Sequence, residues 1–321
     1  MGRNPCSAGD PLVAPSRPGG RLRTRASALL VFSCAVLHAQ PEILALALNR
    51  LSEEAEVFAR EAPLMISQET LRQHALRGQS RFRPRIGADA LKAPTLVYQD
   101  RMLVSEYGFT TLAGSPGVVR EIRRVVSMDG NKVESVEKAR QTLTLGLKSD
   151  NDRAKKKILQ DFEKYGLIGA AVDFGQIILE FRRRNLAKFQ FELQGETRSG
   201  PDEVSVIGFR QQAGPGDLTI YKGNQANRAN LTGEIWLRRS DFLPVRVKLA
   251  TVLKENNIVI RHIATIDYQR TPFGVLAPVA VKHQEIVNNV LKTENMYEYT
   301  PFRKFAAEAE IKFTEVPEPP K

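Results

Sequence analysis

Val245-Arg-Val-Lys-Leu249 and, beyond a turn at Glu255-Asn-Asn257, Ile260-Arg-His-Ile-Ala-Thr-Ile266 decide the fold. In the first, Val245, Val247 and Leu249 alternate with Arg246 and Lys248; in the second, Ile260, His262, Ala264 and Ile266 alternate with Arg261, Ile263 and Thr265. A period of two is the mark of a strand with one face buried and the other wet. The same pattern recurs in Phe189, Phe191 and Leu193 against Gln190, Glu192 and Gln194, and in Val279, Val281 and His283 against Ala280 and Lys282. Turn residues separate these runs at Ser199-Gly-Pro-Asp202, Gly214-Pro-Gly-Asp217 and Thr271-Pro-Phe-Gly274. Strands joined by short turns pair antiparallel, so this half of the chain reads as a meander.

Upstream, Leu96–Tyr98, Met102–Tyr107 and Val118–Val126 read as further strands, with Asp129-Gly130 as a tight turn. Ser135–Leu147, Asp150–Tyr165 and Leu167–Arg183 read as helices, the middle one capped by Ser149 or Asp150 and striped by Ile158, Leu159, Phe162 and Tyr165. Nearer the start, Leu44, Leu48, Leu51, Ala55 and Phe58 recur at helical spacing until Pro63, further helical turns are expected over Gln68–Leu76, and Arg77–Pro94 reads as a basic connector. The expected class is α+β: one curved antiparallel sheet, half-barrel-like, with helices packed on its concave face and an N-terminal helical extension. The expected division is a leader over 1–39, a helical segment and connector over 40–94, and a sheet domain over 95–315 with a helical insertion at 135–183. Residues 316–321 form a Pro/Glu-rich tail, read as disordered, and no internal repeat is visible.

The leader reading rests on a basic stretch ending Arg21-Leu-Arg-Thr-Arg25, an apolar run Ala26–Leu37, and His38-Ala39 ahead of Gln40-Pro41. That is the order of a cleavable export signal, with cleavage expected after Ala39. The length and Gly/Pro content of the basic stretch fit a start codon downstream of Met1. The apolar run is too short to span a bilayer, which takes about 20 residues, so no integral membrane protein is expected. Both cysteines, Cys6 and Cys34, fall within the leader, which removes disulfides, thiolate zinc sites and cysteine nucleophiles from the mature chain. Val31-Phe-Ser-Cys34 leaves one alternative open, a lipoprotein anchored at Cys34. The formal charge is +11; the leader holds five arginines and one aspartate, so about seven positive charges remain after it. A composition of 42% hydrophobic and 26% charged residues excludes disorder along the whole chain.

Gly233-Glu-Ile-Trp-Leu-Arg-Arg-Ser-Asp-Phe-Leu-Pro-Val-Arg246, followed by Ala264-Thr-Ile-Asp-Tyr268 and Gly274-Val-Leu-Ala-Pro278, resembles the LolA-like periplasmic lipoprotein-carrier superfamily. There a Trp-bearing strand passes a Pro-x-Arg corner into the next strand, and a later strand ends near a Gly…Leu-x-Pro step. The likeness covers residues 188–313 and implies a half-barrel whose apolar concavity holds acyl chains. The insertion at Ser135–Arg183 and the N-terminal extension depart from that pattern, and no handover residue of the superfamily maps onto a position here.

Little of the chemistry survives comparison with simpler roles. Ser135-Val-Glu-Lys138 has the Ser-x-x-Lys spacing, but Ser149-Asp-Asn151 follows too soon and Lys292-Thr-Glu294 lacks the glycine of the third element, so Ser135 reads as a helix cap. Of His74, His262 and His283, the last two share the inward parity of neighbouring strands with Glu285 two residues on. Hydrogen bonding or stacking within the sheet is the expected role, ahead of a metal. No Gly-x-Ser-x-Gly, Walker or dinucleotide motif is present, and Asn230-Leu-Thr232 is a sequon that matters only in a eukaryotic secretory path. Basic clusters at Arg81/Arg83/Arg85, Lys155–Lys157 and Arg182–Arg184 would face anionic envelope surfaces rather than nucleic acid.

The expected function is therefore that of an exported, periplasmic or extracellular, non-enzymatic binding or carrier protein without cofactor, its partner a lipid or a lipidated protein. The expected ligand wall is Phe189, Phe191, Leu193, Ile235, Leu237, Val245, Val247, Leu249, Ile260 and Ile266. The same residues would equally build a plain core, and the alternative is an envelope interaction protein with a packed interior and a basic docking surface.

Overall fold

The computed structural model describes residues 32–78, 96–149, 151–168, 173–212, 218–222, 225–255 and 257–304. The basic leader, the Arg81/Arg83/Arg85 cluster, the Gly214–Asp217 turn and the tail lie outside the described residues. Contacts divide the chain into Met1–Gln40 and Pro41–Lys321. In the first unit the backbone of Phe32–Gln40 is helical, as part of α1 (Phe32–Glu61). The packing of α1 described below concerns Pro41 onward.

Fourteen strands appear among the described residues: β1 Met65–Leu76, β2 Tyr98–Leu112, β3 Ser115–Met128, β4 Asn131–Lys132, β5 Phe189–Ser199, β6 Asp202–Gln211, β7 Leu218–Lys222, β8 Gln225–Ala229, β9 Thr232–Arg238, β10 Pro244–Glu255, β11 Ile258–Arg270, β12 Leu276–Val287, β13 Val290–Tyr299 and β14 Arg303–Lys304. Twelve form one open sheet in the order β4-β3-β2-β1-β13-β12-β11-β10-β9-β6-β5, with β14 beside β1, and β7–β8 pair separately. Every pairing in the sheet is antiparallel. The expected class and the meander are therefore present. Asp129 and Gly130 turn β3 into β4 with φ of 51° and 81°, the left-handed pair that a two-residue hairpin favours.

Gln68–Leu76, expected to be helical, is instead most of β1, wedged between β2 and β13. The reason is chemical. The buried side of this strand carries Ser67, Glu69 and Gln73 among Met65, Leu71 and Ala75, so no apolar alternation is visible. Their partners come from afar: Ser67 Oγ donates to the Thr300 carbonyl at 2.6 Å, Glu69 meets Arg123, and Gln73 meets Asn295.

Two α-helices follow β4: α2 Val136–Lys148 and α3 Asp152–Glu163. Ser135 caps α2, its Oγ accepting from Lys138 N at 3.3 Å, while Lys138 Nζ turns to Glu134. The cap of α3 is Asn151, whose Oδ1 accepts from Arg153 N at 2.8 Å, rather than Ser149, and Asp150 lies outside the described residues. Among the described residues of Leu167–Arg183, the third expected helix, no α-helix forms. After Gly166, at φ 63°, the described chain is irregular and then forms 3-10 turns at Ile177–Phe181 and Arg183–Lys188. Its backbone is held by sheet side chains instead: Ile168 N donates to Gln73 Oε1 at 2.9 Å and Gly175 N to Glu121 Oε1 at 2.6 Å. This interlude carries the chain from β4 at one edge of the sheet to β5 at the other.

The helices do not share one face. α1 buries Leu51, Ala55 and Phe58 in the main core together with Phe174, Ile177 and Phe181; this side of the sheet is the inner face. Ion pairs Glu54–Arg270, Glu56–Arg182 and Glu61–Lys304 hold α1 there. Helices α2 and α3 pack on the outer face, where Leu143 and Ile158 meet Ile66 and Ile122. Gly108 on this face is closely approached: an added Cβ would lie 3.2 Å from Leu147 Cδ1 and 3.1 Å from the Met65 carbonyl oxygen. The concave-face expectation thus holds for α1 and is corrected for α2 and α3. The inner face of β1–β3 carries charge, so Leu143 and Ile158 are matched on the other side, while Phe162 and Tyr165, at and just beyond the end of α3, reach the main cluster.

Candidate functional site

The inner face has two halves. Across β6, β9, β10 and β11, one row runs Ile207, Ile235, Val247, Ile266 in direct register. Ile235, Leu237, Val247, Leu249 and Ile266 are each at most 2% exposed. They belong to one cluster with Phe181, Phe189 and Phe209, and the Phe181 ring packs edge-on against Phe209 at 5.1 Å. Phe191 and Leu193, on the edge strand β5, are half-buried. Val245 does not continue the alternation of Val247 and Leu249: a bulge between Pro244 and Arg246 interrupts the register, and Val245 is half-exposed. Ile260 is buried, but it stands at the border of the second half.

That second half sets two buried polar clusters among apolar and aromatic side chains of the same core. His262 Nδ1 and His283 Nε2 are 3.1 Å apart. Their ring centroids are 5.4 Å apart with planes 7° from parallel, so the centroid separation exceeds the nitrogen gap by about two ring radii. The rings therefore lie edge to edge and share one proton in their plane. Asn295 Nδ2 donates to His283 Nδ1 at 3.4 Å, which makes His283 Nε2 the donor and His262 Nδ1 the acceptor. Gln73 completes the chain, donating from Nε2 to Asn295 Oδ1 at 2.8 Å and to the Ile168 carbonyl at 3.0 Å. Burial lowers the pKa of His262 to about 4; burial, and then the neighbouring His262, lowers that of His283 to about 3. Both are neutral at pH 7. Nitrogens aimed at each other in one plane cannot both turn to a metal without rotating the rings. Glu285 lies opposite His262 in register, but among the described residues no three His, Cys, Asp or Glu side chains come together to hold a metal ion. The hydrogen-bonded role expected for the two histidines is the one the geometry shows.

A second polar cluster, unforeseen from the sequence, is built on Arg123. Its Nε donates to both oxygens of Glu69 at 2.7 and 3.0 Å, and its Nη2 donates to Glu69 at 2.9 Å and to Glu121. Asp173 stands 3.9 Å away, and the rings of Tyr107, Phe162 and Tyr297 surround the guanidinium at 5.1 to 5.7 Å. One cation faces three acids. Burial, with help from Asp173 and Glu69 and against Arg123, raises Glu121 to about 8, so this carboxyl holds its proton at pH 7. A raised carboxyl next to an arginine could serve as a general acid. Here Glu69, Glu121 and Tyr107 are at most 2% exposed, and Gly175 sits so close that an added Cβ would lie 2.8 Å from Glu121 Oε1 and 2.9 Å from Tyr107 Oη. The cluster clamps Asp173–Gly175 onto β3. The available signal was slight: Glu121 and Arg123 occupy the same strand parity as Val119 and Val125.

No protein-family model matches the sequence, and no curated protein matches it either. Solved structures do. The chain is similar to a LolA superfamily protein, NE2245 from Nitrosomonas europaea, at 10% identity and a TM-score of 0.28, over 83% of this chain and 95% of that one. It is also similar to a DUF1329 family protein from Desulfovibrio piger, at 8% identity and a TM-score of 0.29, over 80% and 93%. A complex of Pseudomonas aeruginosa MucA and MucB matches at 10% identity and a TM-score of 0.19, over 79% and 98%.

On the outside, Lys155–Lys157 divides. Lys155 is buried, its Nζ donating to the Thr111 carbonyl at 3.0 Å, whereas Lys156 and Lys157 are exposed beside a recess of about 500 Å³ that Arg153 and Gln160 also line. Arg182 is spent on Glu56. A groove of about 410 Å³ lies over Met102 and Met296, flanked by Arg72, His74 and Arg101. No helix among the described residues is long and apolar enough to cross a membrane.

Proposed function

We propose that the protein is a non-enzymatic binding protein of the cell envelope that works through its outer surface, its interior being filled by its own chain. The sealing of the apolar wall carries this reading. Ile235, Leu237, Val247, Leu249 and Ile266 already touch the rest of the core, with Leu51, Phe58, Ile177 and Phe181 in the same continuous cluster. A ligand reaching that wall would have to displace α1 or the 3-10 segment, and three ion pairs oppose the first. The leader supports a place outside the cytoplasm, with release after Ala39 or anchoring at Cys34 as the two routes.

The carrier reading retains one specific support. Thr251 Oγ1, Thr293 Oγ1 and Glu285 Oε2 are buried without a hydrogen-bond partner, and they lie along one cross-strand row through His262. Polar atoms in that state ordinarily meet water or a ligand. An amphiphile with its polar end on this row and its chain toward Leu249 would satisfy them.

Native mass spectrometry of protein recovered from the periplasm of an expressing bacterium separates the readings. The expected result is a bare chain beginning at Gln40. A lipid-sized adduct that survives gentle desolvation would overturn the filled interior in favour of the carrier, and an acylated chain beginning at Cys34 would make the protein an anchored one.

A further inference from the structure

Helix α3 has one face with no role in the core. Ile158 and Phe162 point to the sheet and Lys155 is drawn inward, leaving Arg153, Lys156, Lys157 and Gln160 at i, i+3, i+4 and i+7 as a single outward ridge. Two acids at i,i+4 spacing, Asp152 from Lys156 and Asp161 from Lys157, offset part of this charge through space, but their oxygens are bonded elsewhere. Asp152 accepts from the Ala113 and Gly114 N–H groups at 3.0 and 3.3 Å, and Asp161 is shared by Lys164 and Arg124. Neighbouring surface charges are paired, Arg124 with Glu134 and Arg140 with Glu106, whereas Arg153, Lys156 and Lys157 form no ion pair with the described residues. At the same end of the helical hairpin, in the last turn of α2, Leu145 is 62% exposed.

Resting on the outer-surface reading, we propose that this ridge docks the protein on a bilayer containing anionic phospholipid. Three cations in a row over an open recess, with an apolar side chain beside the turn, match a planar array of phosphodiesters. The recess does not match a small free anion, because its lining residues Arg153, Lys156, Lys157 and Gln160 are all exposed and none can desolvate an ion. So few charges give weak, reversible association that salt screens.

The test is co-sedimentation of the mature protein with vesicles of phosphatidylcholine alone or with about 30% phosphatidylglycerol, at low salt and at about 0.5 M salt. Binding is expected only with phosphatidylglycerol at low salt. The exposed triple variant Arg153→Glu/Lys156→Glu/Lys157→Glu should lose it by at least about tenfold while keeping its circular dichroism and unfolding midpoint. Leu145→Ser should weaken it less. Absence of binding to the anionic vesicles, equal binding to neutral ones, or an unaffected triple variant would each overturn the docking. Any of these results together with a bare mass leaves the outer-surface reading standing, whereas a lipid adduct removes that reading independently of vesicle binding.

Discussion

The two halves of the inner face solve one problem in opposite ways. Around β9–β11 the sheet is closed by aliphatic and aromatic contact, non-directional and indifferent to which neighbour supplies the surface. Around β1–β3 and β12–β13 such contact is joined by Arg123 with its carboxylates and by the chain from Gln73 through Asn295 to the two histidines, where each atom needs one particular partner. The apolar half tolerates adjustment, and the polar half specifies which loop lies on which strand. Holding Ile168 and Asp173–Gly175 in place is a task for which dispersion alone gives no address.

The sharpest way to break this contrast is to remove the cation. Arg123→Met leaves Glu69 buried without the cation that meets both its oxygens and should destabilise by about 3–5 kcal/mol, measured by urea unfolding. A loss below about 1 kcal/mol would mean that the carboxyls simply take up protons and that the cluster is not a clamp. In the apolar half, Ile235→Ala should cost about 2–4 kcal/mol through lost contact and an incompletely collapsed cavity. Its unfolding midpoint should shift without a change in pH dependence, whereas Arg123→Met should change both.

The effect of pH is the most selective. His262 and His283 stay neutral in the fold down to about pH 4 and 3, against an ordinary value of 6.5. As pH falls below 6.5 the unfolded chain takes up protons that the folded chain refuses, so stability declines by up to about 1.4 kcal/mol per pH unit for each ring. Glu121 acts in the opposite sense. Its folded value of about 8 against an ordinary 4.5 gives a contribution that is full below 4.5 and is lost as pH rises through 8. Unfolding curves across this range should therefore show a maximum; His283→Asn should flatten the acid limb and Glu121→Gln the alkaline limb. Ile235→Ala should leave both limbs in place.

How much was legible follows the same division. The alternation in Val247–Leu249 and Ile260–Ile266, the helical stripe Leu51–Ala55–Phe58 and the cap at Ser135 all appear as read, because each is written within a few neighbouring residues. The Arg123 cluster was not legible. Glu69, Glu121 and Asp173 lie 54, 2 and 50 residues from Arg123, and charged side chains on a strand look like a wet face until their partners are known. Val245 failed for a smaller reason, a bulge that shifts parity by one residue and leaves no periodic trace.

By itself the sequence determined the antiparallel meander and the N-terminal amphipathic helix, since these depend on local period and composition. Only the tertiary structure decided that β1 is a strand between the first hairpin and the last, that α2 and the Ile158 side of α3 lie outside while α1 lies inside, and that Ile235, Leu237, Val247, Leu249 and Ile266 are buried in one cluster with α1 and the 3-10 segment. The physical reason is that a buried polar group is stable only where a remote partner meets it, as Ser67 meets Thr300 and Gln73 meets Asn295, and such meetings have no period along the chain.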